Sequence, residues 1–115
     1  MQYLLTLYAD ESGWDKMTPE QQKQGTGAYM AYSEALKSAG VLVSANRLRP
    51  SSSATTMRTT DGKTQVLDGP FADSKEQLGG YYLIDVPDLD AAMSWAGRCP
   101  GVQHGVVEVR AIWSM

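Results

Sequence analysis

The sequence predicts an α+β domain with the element order strand, helix, strand, hairpin, strand, helix, strand. Three observations predict this class. Segments 19–39 and 88–98 each follow a capping residue and repeat apolar side chains at spacings of three and four, as amphipathic helices do. Short runs rich in Leu, Val, Ile and Tyr flank both helices, as strands do. Between the helices, Asp61-Gly62 marks a tight hairpin turn, because a type I′ turn needs positive φ at both central residues.

The first third of the chain is predicted to form a strand, a loop and a long helix. Residues 2–8 are a short apolar run typical of a buried strand, and residues 9–17 have a loop composition. Thr18 is the predicted cap of the helix, Pro19 suits its first position, and Gln21 completes a capping box. The apolar stripe of this helix is formed by Tyr29, Tyr32, Leu36 and Ala39. Gly40 follows as the predicted end of the helix.

The middle of the chain predicts a strand, a hairpin and a structured turn. Residues 41–48 are the strand, and residues 55–68 are the hairpin. The next stretch, DGPFADSKEQLGG, begins with a turn in which Gly-Pro restricts the backbone. Asp73 and Glu76 within it have the spacing of a capping box, which predicts one helical turn that the two glycines then stop.

The last third predicts a strand at 80–86, a helix capped by Asp88 and a strand at 105–113. The predicted buried stripe of this helix is Leu89, Ala92, Trp95, Ala96 and Cys99. Pro100 is predicted to end the helix. The final strand alternates, with one face formed by Val107, Val109, Ala111 and Trp113 and the other by Val106, Glu108, Arg110 and Ile112. Apart from the hairpin, the order is βαββαβ, the ferredoxin-like arrangement, and we expect a single domain over residues 1–115.

Composition excludes several classes of function. The 115 residues include ten Lys and Arg against thirteen Asp and Glu. The Lys and Arg residues form no cluster, so we do not expect the protein to bind nucleic acid. Cys99 is the only cysteine, which fits a reducing compartment without disulfides. The first residues show no basic stretch before an apolar core, and no run approaches the length of a membrane span. We therefore expect a cytoplasmic protein with no membrane partner.

Residues 68–100, DGPFADSKEQLGGYYLIDVPDLDAAMSWAGRCP, followed by GVVEVR at 105–110, closely resemble the DGPF branch of the YCII-related family. The segments YLLTLYADES and SAGVLV near the first helix agree with the same family. The resemblance implies a dimeric α+β barrel, in which the sheets of a homodimer face each other and enclose a cleft. It also implies relatives that include a dehydrochlorinase-type enzyme of aromatic degradation. DGPF-type proteins are often encoded beside extracytoplasmic-function sigma factors.

The family's presumed acid–base pair is altered in this chain. The wider family resembles an acid–base enzyme in carrying a His on the first helix with an Asp nearby, a pair that exchanges protons near neutral pH. Residues 18–40 contain no His, and counting back from Leu36 and Gly40 puts Tyr29 at that position. A tyrosine donates hydrogen bonds, but with an ordinary pKa near ~10 it is a poor base at neutral pH.

Five residues are predicted to bind a ligand: Tyr29, Asp68, His104, Glu108 and Arg110. Asp68, at a rigid turn, is expected to border a cleft near Tyr29. His104 is the only histidine, and the alternative interpretation is an exposed loop residue. Glu108 and Arg110 are expected on a strand near the middle of the sheet, where a mutual or cross-subunit ion pair is the alternative to ligand binding.

Other candidate groups are weaker. Tyr32, Tyr81 and Tyr82 suit either a cleft or the core. Spacing from Trp95 makes Cys99 a core residue rather than a nucleophile. One His and one Cys offer no zinc pattern, so we expect no metal and no cofactor, and no catalytic residue is assigned.

Two functions follow as hypotheses, with a purely structural dimer as a third. The first is a small cofactor-independent enzyme that acts on a small organic or aromatic molecule in a cleft near the dimer interface. The second is a non-catalytic ligand-binding or regulatory protein associated with an extracytoplasmic-function sigma factor, and the missing first-helix His favours it.

Overall fold

The computed structural model describes residues 1–114 and confirms the α+β class. Its main sheet consists of four strands, β1 (Gln2–Ala9), β2 (Leu42–Arg47), β5 (Gln77–Asp85) and β6 (Val106–Ala111). This sheet is antiparallel and has the strand order β2-β5-β1-β6. Each long helix connects two strands that have one other strand between them, which gives the predicted ferredoxin-like βαββαβ arrangement.

The expectation that the last strand lies near the middle of the sheet is wrong. Within the described residues β6 pairs with β1 alone, so it forms one edge of the sheet, and β2 forms the other. The reason is the crossover of the second βαβ unit, which carries the chain from β5 past β1 to the far side. Glu108 and Arg110 therefore lie on an edge strand, close to solvent.

Three helices follow the caps that their sequences supply: α1 (Glu11–Asp15), α2 (Pro19–Ser38) and α3 (Leu89–Arg98). The predicted capping box of α2 is confirmed, because the Thr18 hydroxyl accepts from the Gln21 amide at 3.1 Å and the Gln21 side chain accepts from the Thr18 amide at 2.9 Å. The predicted loop at 9–17 is partly wrong. Its middle, residues 11–15, forms α1, which Asp10 caps by accepting from the Ser12 amide at 2.9 Å.

The hairpin is confirmed. Strands β3 (Thr55–Thr60) and β4 (Lys63–Asp68) pair with each other in a separate two-stranded sheet. Asp61 has φ 51° and Gly62 has φ 77°, as a type I′ turn requires.

The helical turn predicted after Asp73 does not form. The Ser74 hydroxyl accepts from the Glu76 amide at 3.3 Å, a local turn that competes with a helical cap. Strand β5 consequently begins at Gln77, so the two glycines lie inside a strand and do not end a helix. The pairing of β1 with β5 shifts register between Leu7 and Tyr8, which leaves Gly79 as the extra residue of a β-bulge.

The core lies between the two longer helices and one face of the sheet. Its members alternate along the central strands and recur along the helices: Tyr3, Leu5, Tyr32, Leu36, Tyr82, Ile84, Val86, Ala92, Ala96 and Cys99. Val107 and Val109 pack against it, as the alternation of β6 predicted. Four residues predicted on the apolar faces lie at the surface instead: Ala39 and Ala111 are exposed, Leu89 is half exposed at the start of α3, and Trp113 lies beyond the end of β6 with 87% of its surface exposed.

Among residues 1–114, α2 and α3 both pack on the face of the sheet that carries the core and leave the other face uncovered, so the molecule is unusually flat. Its extents are 48 × 45 × 18 Å and its radius of gyration is 16.1 Å, against about 13 Å for an ordinary domain of this length. The hairpin exposes Met57 and Val66, which pair across its strands. No helix of residues 1–114 is long and apolar enough to cross a membrane.

Candidate ligand-binding site

A cavity of about 650 Å³ opens between α1, α2 and one end of the sheet. This volume lies within the range of small-molecule sites. Much of its wall is aromatic or apolar, from Trp14, Met17, Tyr29, Met30, Tyr81 and Tyr82. The polar part comes from side chains on every surrounding element, among them Ser33, Lys37, Arg47 and His104. Such a wall suits a small planar molecule with a few polar substituents.

Tyr29 and His104 meet on this wall although they are 75 residues apart. His104 Nε2 lies 3.5 Å from the Tyr29 hydroxyl oxygen, and the rings meet edge to face at 6.4 Å between centroids. The distance is at the long end for a hydrogen bond, and such contacts in empty sites commonly shorten when a ligand binds. The structure thus brings two of the five predicted site residues together.

The Tyr29 hydroxyl keeps its proton at neutral pH. Burial raises the pKa of Tyr29 from 10.0 to about 12, with smaller contributions from Cys99 and Tyr82. The group is therefore suited to donate a hydrogen bond or a proton to a ligand, and it is not a base. Any base of this pair is therefore the His104 imidazole, because a neutral imidazole has one ring nitrogen that accepts a proton.

Two glycines place His104 against Tyr29. A Cβ at Gly101 would lie 3.2 Å from the Tyr29 hydroxyl and 3.4 Å from both Leu7 and Val107. The turn Pro100–Gln103 therefore packs closely against α2 only because residue 101 has no side chain. A Cβ at Gly105 would overlap the Tyr8 carbonyl, so the chain after His104 is held equally close to β1. Gly101 and Gly105, on either side of the single histidine, are a sequence signal that could have indicated this close packing.

The opposite part of the wall is built by α1. The Arg47 guanidinium lies over the Trp14 ring, with 4.9 Å from its central carbon to the ring centroid. Gln22 Nε2 donates to the Trp14 carbonyl at 2.9 Å, and the indole packs near Gly25, where a Cβ would lie 3.6 Å from it, an ordinary van der Waals distance. Sequence reasoning missed both Trp14 and Arg47, because it assigned residues 9–17 to a loop without a partner.

The pKa values of two further tyrosines on the wall are shifted in opposite directions. Burial raises the pKa of Tyr82, whose hydroxyl lies 3.1 Å from the Ser33 hydroxyl. Hydrogen bonds from Ser44 and Asn46 lower the pKa of Tyr81, and Asn46 Nδ2 donates to it at 2.8 Å. Tyr32, the third candidate tyrosine, belongs to the core instead and donates to the Trp95 carbonyl at 2.8 Å.

The other three predicted site residues do not line this cavity. Asp68 lies exposed at the end of β4, opposite Thr55. Glu108 and Arg110 form an ion pair with each other at 3.0 Å, with 76% of the Arg110 side chain exposed. The interpretation of these two as a mutual ion pair is confirmed, whereas ligand binding by all three residues stays a prediction.

The remaining reactive side chains form no second site among residues 1–114. Cys99 is 1% exposed, and burial raises the pKa of its thiol, as fits a core residue. No group of three or more His, Cys, Asp or Glu side chains in that range is arranged to hold a metal ion.

The fold and the cavity define a small α+β protein with a ligand-sized cavity beside a sheet that helices cover on one face. The sequence model of the YCII-related domain family matches residues 1–115, and the chain belongs to this family. An uncharacterised protein of Rhizobium meliloti is 40% identical over 96 residues, which cover 84% of this chain and 77% of the relative. Among solved structures, the fold is similar to that of a 5-chloro-2-hydroxyhydroquinone dehydrochlorinase from Burkholderia phenoliruptrix in complex with 2,5-dihydroxybenzoquinone. The TM-score is 0.57, at 15% identity, over 99% of this chain and 94% of the other.

The raised pKa of Tyr29 predicts a loss of stability in alkali. Since unfolding returns this pKa from about 12 to its ordinary value of 10.0, the stabilisation is complete below pH 10 and is lost as the pH rises through about 12. Tyr29→Phe should therefore unfold less steeply with pH in this window, as measured by urea unfolding followed by circular dichroism. Tyr81→Phe is the matched control, because the lowered pKa of Tyr81 acts in the opposite direction. Identical pH profiles for wild type and Tyr29→Phe would contradict the burial of this hydroxyl.

Proposed function

We propose that this protein is a small cofactor-independent enzyme that performs acid–base chemistry on a small aromatic or quinone-like molecule in the cavity. The observation that carries the proposal is the contact of the Tyr29 hydroxyl with the His104 imidazole on the cavity wall. The dehydrochlorinase, similar in fold, acts on a small aromatic compound according to its name, which supports this class of ligand. The DGPF branch of the family stays a prediction.

The chemistry divides between the two side chains. The imidazole takes a proton from a ligand hydroxyl or carbon, since histidine exchanges protons near neutral pH. The Tyr29 hydroxyl, which stays protonated, donates to the oxygen on which negative charge develops. The aromatic and apolar wall holds the ring of the ligand next to this pair.

The experiment is a titration of the purified protein with 2,5-dihydroxybenzoquinone, followed by incubation with 5-chloro-2-hydroxyhydroquinone. Saturable binding that raises the melting temperature, together with release of chloride or a change in the ligand's absorbance, would support the proposal. A small library of hydroxylated aromatics extends the test to other substrates. If no compound raises the melting temperature or is converted, the proposed function is wrong.

The second candidate is a non-catalytic ligand-binding or regulatory protein that works with an extracytoplasmic-function sigma factor. The observation that favours it is the absence of His from α2, because Tyr29, at the position where the family resemblance implies a His, keeps its proton. Saturable binding without conversion, unaffected by replacement of His104, would favour this candidate. Co-purification with a sigma factor only when ligand is present would complete that case.

We also propose that two copies form a homodimer through the uncovered faces of their sheets. The protomer exposes apolar side chains on this face and on the hairpin, among them Val106, Ile112 and the Met57–Val66 pair, more than a monomer usually exposes. A two-stranded hairpin is marginally stable alone, so a second copy would also support it. Adjacent opposite charges at Glu108 and Arg110 are complementary to themselves across a two-fold axis.

Arg110→Glu is expected to weaken this dimer, because it puts two acids side by side on each facing edge strand and repels the same pair of the second copy. We expect at least a tenfold larger dissociation constant, measured by sedimentation equilibrium. Lys23→Glu, a reversal on the exposed surface of α2 away from this face, is the matched control. A wild-type monomer at micromolar concentration would overturn the proposed dimer, as would dimers of equal strength in both variants.

A further inference from the structure

We propose that Arg47 selects planar anions for the cavity, so that the ligand carries two negatively charged, coplanar oxygens. This inference rests on the proposed function and names its ligand class. An aromatic carboxylate and a deprotonated hydroxyquinone share this chemistry. Three features of Arg47 support this inference: it forms no ion pair within the described residues, its guanidinium lies over the Trp14 ring, and it lines the same cavity as the proton-transfer pair.

No carboxylate of the described residues forms an ion pair with Arg47. The two ion pairs of residues 1–114 join the Met1 amino group to Asp85 and Glu108 to Arg110. Two acids do line the cavity on the α1 side, but both already have partners. Asp10 accepts from the Ser12 amide and hydroxyl, at 2.9 and 2.7 Å. The two carboxylate oxygens of Glu11 accept from the Ser51 amide and hydroxyl, at 2.7 and 2.8 Å.

The third acid on the wall, Glu34, lies on α2 one turn from Lys37, which also lines the cavity. The positive charge of Lys37 lies three residues from the negative charge of Glu34 on α2. The two side chains together therefore contribute no net charge to the cavity wall that Arg47 shares. Arg47 is left as the cavity's guanidinium without an anionic partner. A cation in such a position attracts an anionic ligand at little cost, since no internal ion pair must first be broken.

The position of the guanidinium is defined by its stacking on Trp14. That indole is itself held, because α1 is tied to three other segments: to β5 through the Glu11 amide and Gln77 at 3.1 Å, to Ser51 through the Glu11 carboxylate, and to α2 through Gln22. A guanidinium stacked on a ring keeps its N–H edge available to an acceptor in its own plane. Two coplanar oxygens match this edge with a pair of parallel hydrogen bonds, which a neutral amide or ether cannot reproduce.

Arg47 and the Tyr29–His104 pair line the same cavity from different elements, β2 on one side and α2 with the turn before β6 on the other. A ligand held at its anionic group by Arg47 would present the rest of its ring to the wall that carries the proton-transfer pair. Arg47 is therefore a specificity-determining residue: it binds the ligand, whereas Tyr29 and His104 act on it.

The test compares matched anionic and neutral probes. Calorimetric titrations use benzoate against benzamide, and 2,5-dihydroxybenzoquinone, which ionises below neutral pH, against its neutral dimethoxy ether. We expect the wild type to prefer the anion of at least one pair by about 10- to 100-fold, as one charge-assisted hydrogen-bonded contact provides. Arg47→Met should abolish that preference, and Arg47→Lys should keep part of it because the charge remains without the planar fork. The pair that shows the preference distinguishes carboxylates from hydroxyquinones.

Arg58→Met is the matched control. Arg58 lies over the Phe71 ring at 5.0 Å, the same arrangement as Arg47 over Trp14, but it is on the hairpin and does not line the cavity. If the wild type binds each anion and its neutral partner with equal affinity, the inference about Arg47 is wrong, but the proposed function of the cavity as a ligand site is not contradicted. An anion preference that survives in Arg47→Met would overturn it as well. A wild type that binds no member of either pair would contradict the proposed function itself.

Discussion

Replacing Leu36 by alanine is expected to lower the free energy of unfolding by about 2–5 kcal/mol. Leu36 is fully buried where α2 packs on the sheet, among the core residues of both central strands. Its removal costs the transfer free energy of the lost methyl groups and leaves a cavity that the sheet cannot fill. For a chain of this length the melting temperature should fall by roughly 10–20 °C.

The measurement is urea unfolding followed by far-UV circular dichroism, with Met30→Ala as the control on the same helix. Met30 is largely exposed, so its truncation should change the free energy of unfolding by no more than about 0.5 kcal/mol. Equal stabilities of the two variants would show that α2 does not pack on the sheet through Leu36. Because Tyr29 lies two turns before Leu36 on the same face, this packing also positions the cavity wall.

Replacing His104 by glutamine is expected to lower the rate of ligand conversion by about 10²- to 10⁴-fold, the usual contribution of a general base. Glutamine retains hydrogen-bonding groups but does not exchange protons at neutral pH. Tyr29→Phe should lower the rate by about 10²- to 10³-fold, because it removes one donor to the developing oxyanion while leaving the ring in place. The assay is chloride release, or the absorbance change of a converted compound, at neutral pH.

Tyr3→Phe is the control for the loss of a tyrosine hydroxyl. Tyr3 lies in the core, and its hydroxyl contacts the sulfur of Met1 at 3.4 Å, away from the cavity. Its rate should equal that of the wild type. Unchanged conversion by His104→Gln would exclude the imidazole as the base. Binding retained by both site variants, with conversion absent even in the wild type, would favour the ligand-binding alternative.

The parts of this fold that were predictable from the sequence depend on neighbouring residues. The α2 cap needs only Thr18 and Gln21, and the hairpin needs only Asp61-Gly62, because the hydrogen bonds and dihedral angles concerned lie within four residues. Two local predictions, the loop at 9–17 and the helical turn after Asp73, were wrong because a nearby side chain forms a different local hydrogen bond. Asp10 starts a helix in the segment predicted as a loop, and Ser74 forms a turn in place of the predicted helical one.

The sequence by itself determined the order of the strands and the two longer helices, their periodicity and the membership in the YCII-related domain family. The tertiary structure alone decided the position of β6 at an edge, the contact of Tyr29 with His104, and the stacking of Arg47 on Trp14. These features join residues far apart in the chain. They depend on strand register, on crossover direction and on close backbone approaches at Gly101 and Gly105, and these are properties of the packed chain as a whole.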